Sequence, residues 1–349
     1  MDKNVKIYIT GHNGLVGSAI LRMLDKQGYN NVIVKSRNEL DLLNTTQVNF
    51  FFEQEKPEYV FLCAAKVGGI LDNKKHKADF IYQNLQIQNN VIHQSYLHGV
   101  KKLIFMASTS IYPKDRSRVR ESDLMTGELD YSNESYAIAK IAGVKMCEAY
   151  NIQYNTNFIS LVPTNLYGKN DRFDLEKAHV IPALIRKFHL ARLLMEKRYK
   201  EILHDLKIKN LEEAENYLKH FGINNNSLII WGSGNAKREF LHVDDLAEAS
   251  IFIMNKINFK DLHESNDLEI KNTHINIGPN ENISIKELAY IIRDIVNYKG
   301  NLIFDKVKPE GSLNRFTDCS KIRSLGWHHK INLVDGIKKL YNWYLNKGE

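Results

Sequence analysis

Three side chains near the middle of the sequence, Ser108, Tyr136 and Lys140, have the types and spacing to protonate a ketone as it is reduced. Hydride delivered to a ketone creates an alkoxide, and a positioned acid must supply its proton. Tyr136 is the expected donor, but a free phenol has a pKa of about 10 and needs a nearby cation to work at neutral pH. Lys140 follows one helical turn later on the same face and would supply that charge while reaching the cofactor's ribose. Ser108 ends an apolar run, Leu103 to Ala107, and its hydroxyl can orient the substrate oxygen.

Such groups must be presented by strand ends and helix faces. Apolar runs predict strands at Val5–Ile9, Val32–Val34, Tyr59–Cys63, the Leu103 segment and Asn157–Val162. Helices are predicted between them at Leu15–Gln27, Thr46–Gln54, Asp79–His98 and Ser135–Gln153. This alternation specifies an α/β fold, a Rossmann-type doubly wound parallel sheet. Beyond Gly168 the rhythm breaks. A helix over Val180–Leu190 leads into a charged segment, 191–224, with helical periodicity and few breakers. A strand at Leu228–Trp231, a helix over Val243–Asn255, a short strand at His274–Ile277 rejoining the sheet and a helix over Ser284–Val296 follow. The expected organisation is a Rossmann domain over 1–168, with returning segments near 241–258 and 272–278. A smaller, interleaved substrate domain takes 169–240 and 279–349. Asp244 and Asp245 look catalytic in isolation but are read as capping a helix amino end.

The first strand runs into Gly11-His12-Asn13-Gly14-Leu15-Val16-Gly17 and then a helix. Glycines there permit a tight turn and close approach to a pyrophosphate, whose charge sits at the helix amino terminus. The second strand ends in Lys35-Ser36-Arg37, and no acid follows until Glu39. An NAD site usually places an acid here for the ribose 2′-hydroxyl, whereas Lys35 and Arg37 suit a 2′-phosphate, so NADPH is the expected cofactor. Asp41 is placed near the adenine. Ala64-Ala65-Lys66-Val67-Gly68-Gly69 follows the third strand, and its small residues allow the cofactor to approach the backbone.

The 349 residues suffice for a real core without disulfides or metals. Three scattered cysteines show no metal spacing and fit a reducing cytoplasm. The polar amino end is not a signal peptide, and no apolar stretch has membrane-spanning length, so no membrane partner is expected. The net charge of +7 is spread among acids, which argues against nucleic acid and fits a diphosphate-bearing ligand.

The Ser-Thr-Ser-Ile-Tyr-Pro segment from Ser108, the Tyr136-Ala-Ile-Ala-Lys140 motif, Asn165-Leu-Tyr-Gly and the run His179-Val-Ile-Pro-Ala-Leu-Ile-Arg-Lys-Phe-His resemble the GDP-L-fucose synthase family, extended short-chain dehydrogenase/reductases. The resemblance covers nearly the whole chain except 191–224, which looks like a two-helix insertion, a surface hairpin or alternatively a lid or oligomer contact. That family epimerises and then reduces a GDP-4-keto-6-deoxy sugar. The resemblance implies a cysteine where Ser110 stands, working with a histidine matched by His179. Because an aliphatic alcohol is a far weaker acid than a thiol of pKa about 8.5, C3/C5 epimerisation is expected to be lost. The family's second basic residue in the glycine loop is replaced by Asn13. By the same resemblance, Pro163 and His179 line the cofactor; Asn165 contacts the sugar diphosphate; Val180, Leu184 and Lys187 take the guanosine. Trp231 and Arg238 reach sugar and diphosphate, and Lys308 closes the pocket, in a cleft between the two domains. A homodimer through the Asp79 and Ser135 helices is also implied.

The leading expectation is an NADPH-dependent C4 reductase of a GDP-4-keto-6-deoxy sugar, hexose or heptose, supplying surface polysaccharide. The runner-up is a complete, bifunctional GDP-L-fucose synthase. A catalytically silent nucleotide-binding regulator is disfavoured by the intact Ser108, Tyr136 and Lys140. An NAD-dependent 4-epimerase is disfavoured by the acid-free Lys35 to Arg37.

Overall fold

The computed structural model describes residues 1–264, 266, 268–307 and 315–346. It divides into two compact units. The first comprises Met1–Asn170, Glu239–Glu281 and Phe316–Ile331; the second comprises Asp171–Arg238, Asn282–Arg315 and the chain from Asn332.

The first unit is built on a six-stranded, wholly parallel sheet. Its order is Ile275–Ile277, Phe158–Pro163, Lys102–Met106, Tyr59–Leu62, Ile7–Thr10 and Val32–Val34. Side chains alternate across it, because successive residues of a strand face opposite sides. Ile7 and Ile9 pack in one layer with the Leu15–Lys26 and Val243–Lys256 helices. Tyr8 packs in the other layer with Phe51, Phe52, Val91 and Val144, from the Thr45–Glu55, Lys77–Leu97 and Glu134–Tyr154 helices. Both faces are covered, which is why the strands read as continuous apolar runs. The doubly wound sheet expected from the sequence is present.

Several details differ from expectation. The first strand starts at Ile7 rather than Val5, because pairing to Val32 on one side and Tyr59 on the other begins there. A short helix, Ile70–Lys75, follows the small-residue segment. Segment 316–331, assigned from sequence to the smaller domain, belongs to the first unit. Phe316–Thr317 pairs in parallel with Arg118–Val119, and Cys319, Ile322 and Trp327 join the core beneath the sheet. These contacts span long stretches of chain and leave no local signature. Asp244 and Asp245 do not cap their helix by side chain: His242 Nδ1 accepts the Asp244 N–H at 3.2 Å. The Asp245 carboxylate instead takes the N–H groups of Lys330 and Ile331, at 3.1 and 3.0 Å.

In the second unit, Ser227–Trp231 pairs in parallel with Asn301–Asp305, and the Val180–Met195 helix runs one turn past its expected end. The charged 191–224 segment forms two helices, Tyr199–Leu206 and Leu211–His220, as its periodicity predicts. It is tied down by polar contacts. Arg186 reaches Asp205 at 2.9 Å, and the Tyr344 hydroxyl donates to the same carboxylate.

Candidate active site

The glycine loop of the first unit is built for close approach. Gly11 has φ +69°, and a side chain there would meet the Ala64 backbone at 3.0 Å. A side chain at Gly17 would collide with the Gly11 carbonyl. Both positions therefore demand glycine. Thr10 Oγ1 accepts the N–H groups of Cys63 and Ala64, at 2.9 Å each, which fastens the Ala64-Ala65 segment alongside the loop. The helix that follows begins at Leu15, with Gly14 as its cap and no side chain on its first N–H groups. Asn13, Leu15 and Val16 flank a bare helix amino end, the arrangement that receives a dinucleotide pyrophosphate. These residues fit an NADP cofactor.

Around this loop, Lys66 is positioned by Asn84, whose side-chain amide takes the Lys66 N–H at 2.9 Å and donates to its carbonyl at 3.0 Å. Asp41 turns its carboxylate to the Leu43 N–H at 3.1 Å. Arg37 is exposed, and Lys35 is half-buried beside it at the end of the second strand. Pro163 ends the Phe158–Pro163 strand, held in register with Ile277.

The candidate proton-transfer group, Ser108, Tyr136 and Lys140, lies on two adjacent elements. The Lys102–Met106 strand ends in Ser108, whose Oγ accepts the Ser110 N–H at 3.3 Å and opens a tight turn, Thr109–Ile111. Ser110 Oγ is buried without a hydrogen-bond partner among the described residues. Tyr136 and Lys140 sit one turn apart on the Glu134–Tyr154 helix. Lys140 Nζ donates to the Met106 carbonyl at 2.7 Å and lies 5.7 Å from the Tyr136 ring centre. Burial lowers the Lys140 pKa to about 8, with Cys63 opposing the shift. Burial also raises the Tyr136 hydroxyl above its ordinary range. The expected lowering of Tyr136 by Lys140 is not what the protein does here: desolvation of the phenol dominates, and the ammonium is directed at a backbone carbonyl.

Behind the Thr109–Ile111 turn lies a network that sequence reasoning missed. Tyr112, fully buried, donates to Asn276 Oδ1 at 2.5 Å and meets His274 Nε2 at 3.0 Å. Since the hydroxyl proton goes to Asn276, Nε2 of His274 carries the proton it shares with Tyr112. Burial holds that ring neutral, with its pKa lowered to about 3. Asn276 is fixed in turn by the Asp318 carbonyl at 3.1 Å, and its N–H reaches Glu121 at 3.0 Å. The Ile-Tyr-Pro wording was the only local hint; the partners lie far away in sequence.

The remaining candidates belong to the second unit, apart from Asn165, whose side chain donates to the Glu239 carbonyl at 3.0 Å in the first. His179 stands at the amino end of the Val180–Met195 helix, its pKa lowered by burial and then by the Arg172 charge. Val180, Leu184 and Lys187 do not form one open face. Val180 is 39% exposed, Leu184 is buried, and Lys187 Nζ donates to the Ile229 carbonyl at 2.7 Å. Burial lowers the Lys187 pKa to about 8, and its ammonium is committed to the backbone rather than extended as a free cation. Trp231 is 50% exposed at its strand end, so it is not the core residue its type alone suggests. Arg238 donates to the Lys237 carbonyl at 2.7 Å from a short strand paired with Ile283–Ser284. Lys308 lies outside the described residues. No group of His, Cys, Asp or Glu able to hold a metal occurs among the described residues, and no described helix is long and apolar enough to cross a membrane.

Comparison with known proteins identifies the family. Residues 7–278 match the NAD dependent epimerase/dehydratase family. A putative GDP-L-fucose synthase 2 from Arabidopsis thaliana is 46% identical, over 99% of this chain and 93% of that protein. A C. jejuni structure described as a GDP-6-OMe-4-keto-L-xylo-heptose reductase is 51% identical and superposes with a TM-score of 0.95, covering 99% of each chain. A GDP-mannoheptose C4 reductase from Campylobacter jejuni, solved with NADP bound, is 51% identical with a TM-score of 0.89 and the same coverage. With its glycine loop, parallel sheet and Ser-Tyr-Lys group, the chain belongs to the NAD dependent epimerase/dehydratase family and is a relative of the GDP-L-fucose synthases.

Proposed function

We propose that this enzyme is an NADPH-dependent C4 reductase of a GDP-4-keto-6-deoxy sugar, hexose or heptose, without C3/C5 epimerase activity. The GDP-sugar 4-reductase reading is supported by the GDP-L-fucose synthase and heptose reductase relatives. The observation that carries it within this chain is the Ser108, Tyr136 and Lys140 group at the carboxyl edge of the same parallel sheet that carries the glycine loop.

Bound NADPH supplies the hydride. Ser108 orients the ketone oxygen, and Tyr136 gives that oxygen its proton. Lys140, charged below a pKa of about 8, offsets the negative charge that appears as the phenol gives up its proton. Asn165, Trp231, Arg238, Val180, Leu184 and Lys308 are assigned to the nucleotide sugar. Lys187 acts there only through the backbone it holds.

Loss of epimerisation follows from Ser110. Its hydroxyl has no partner to activate it among the described residues, and an unassisted alcohol is a poor acid at neutral pH. None of the three cysteines substitutes. Burial pushes Cys63 and Cys147 up to about 12, and Cys319 well above the usual thiol range. His179 then serves as a binding residue.

The test is turnover with NADPH and a GDP-4-keto-6-deoxy sugar in deuterated water, read by NMR against an enzyme-free control. Reduction without enzyme-dependent deuterium at C3 or C5 is expected. Deuterium with inversion at both carbons would instead assign the bifunctional synthase reaction, with Ser110 as a working acid.

A further inference from the structure

The turn after the second strand carries a device that bears on cofactor choice. At this edge of a Rossmann sheet, an acid that reaches the ribose 2′-hydroxyl favours NAD, and basic side chains favour a 2′-phosphate. Both kinds of residue occur here. Lys35 and Arg37 come first, and Glu39 follows two residues beyond Arg37.

Glu39 is turned away from that task. Its Oε2 accepts two hydrogen bonds from Ser36, from the backbone N–H at 2.7 Å and from the hydroxyl at 2.5 Å. The backbone closes the same turn in the other direction, with Glu39 N–H and Leu40 N–H on the Ser36 carbonyl at 3.1 and 3.0 Å. The carboxylate pKa is lowered, first by the Ser36 hydrogen bonds and then by the charges of Lys35 and His12. Glu39 lies in the turn that follows the Val32–Val34 strand, the edge at which a Rossmann sheet presents its ribose-reading residues. The cap fixes where the carboxylate points.

We propose that the Ser36 cap on Glu39 sets the cofactor preference, by withdrawing the acid from the ribose edge and leaving Lys35 and Arg37 to meet a 2′-phosphate. The inference rests on the NADP reading above. A freed Glu39 would accept from the 2′-hydroxyl of NAD and repel the phosphate of NADP. A cap that only closed the turn would, when lost, weaken both cofactors equally.

Calorimetric binding of NADP+ and NAD+ separates these cases without any sugar substrate. The quantity read is the ratio Kd(NAD+)/Kd(NADP+) for wild type, Ser36→Ala, Glu39→Gln and the double variant, with melting curves to confirm folding. The wild-type ratio should exceed 1. Ser36→Ala should lower it by roughly three- to tenfold, the scale of one charge-assisted hydrogen bond, mainly through tighter NAD+. Glu39→Gln should keep or raise it, and the Ser36 substitution should have no effect on the ratio in the Glu39→Gln background. An equal loss of both cofactors in Ser36→Ala overturns the proposal. So does a fall in the ratio of the same size in the double variant, which means that Ser36 itself touches the phosphate. A wild-type ratio at or below 1 overturns the NADP reading itself, whatever Ser36 does.

Discussion

In the first unit the candidate side chains sit at strand ends, in the loops that follow them and on one helix face. In the second unit the candidates have suitable types, but their polar atoms are partly spent on the backbone: Lys187 on Ile229, Arg238 on Lys237. Commitment to a backbone carbonyl does not by itself separate the units, since Lys140 donates to Met106 as Lys187 does to Ile229; what differs is that Lys140 stands one helical turn from a candidate partner, Tyr136. Ser110, with a buried and unpartnered hydroxyl, and Lys187, with a buried and committed ammonium, are the two extremes.

The largest effect should come from Tyr136→Phe, which removes the proposed proton donor and should cut kcat by about 10²- to 10⁴-fold while NADPH binding persists. A smaller change than tenfold would mean another group protonates the alkoxide. Ser110→Cys should next supply the thiol that the family resemblance implies, giving enzyme-dependent deuterium at C3 or C5 in the same NMR assay. No exchange in that variant would separate the missing thiol from some further deficit in the second unit.

Lys140 offers a pH test. It is charged below a pKa of about 8 and neutral above, so kcat/KM should fall as pH rises through that value. The limb should be absent in Lys140→Arg if that variant turns over, since a guanidinium stays charged. Tyr112→Phe leaves Asn276 Oδ1 and His274 Nε2 without their hydroxyl. Stability should drop by roughly 1–3 kcal/mol, read by denaturant melts, with a modest loss of kcat as the Ser108 turn loosens.

The smallest effect is expected at Lys187. Its folded pKa is lowered from 10.5 to about 8, so between those values the unfolded chain binds more protons and stability rises with pH. The ammonium is most unfavourable below about pH 8. Lys187→Met should therefore compare best with wild type near pH 7 and lose that advantage by pH 10, in melts across that range. A pH-independent difference would mean that the bond to Ile229 outweighs desolvation.

Much of the first unit was legible because its signals are local. Apolar runs, the glycine spacing and the one-turn offset from Tyr136 to Lys140 each involve residues close along the chain, and the periods of strand and helix convert them directly into faces. The His12 to Gly17 loop could be placed from sequence because a turn that tight admits only glycine at Gly11 and Gly17. The charged 191–224 segment reads as two helices for the same reason.

What tertiary structure alone decided is which atoms are already occupied and which pKa values move. The carboxylates of Glu39 and Asp245, the Lys187 ammonium and the Tyr112 hydroxyl each found partners that their neighbours in sequence did not announce, or announced only in part. The direction of the Tyr136 shift escapes a sequence reading because sequence shows which charge stands nearby but not how much water is lost. Desolvation depends on everything packed around a group, and Phe80 on one helix and Lys140 on another turn reach Tyr136 only once the chain is folded.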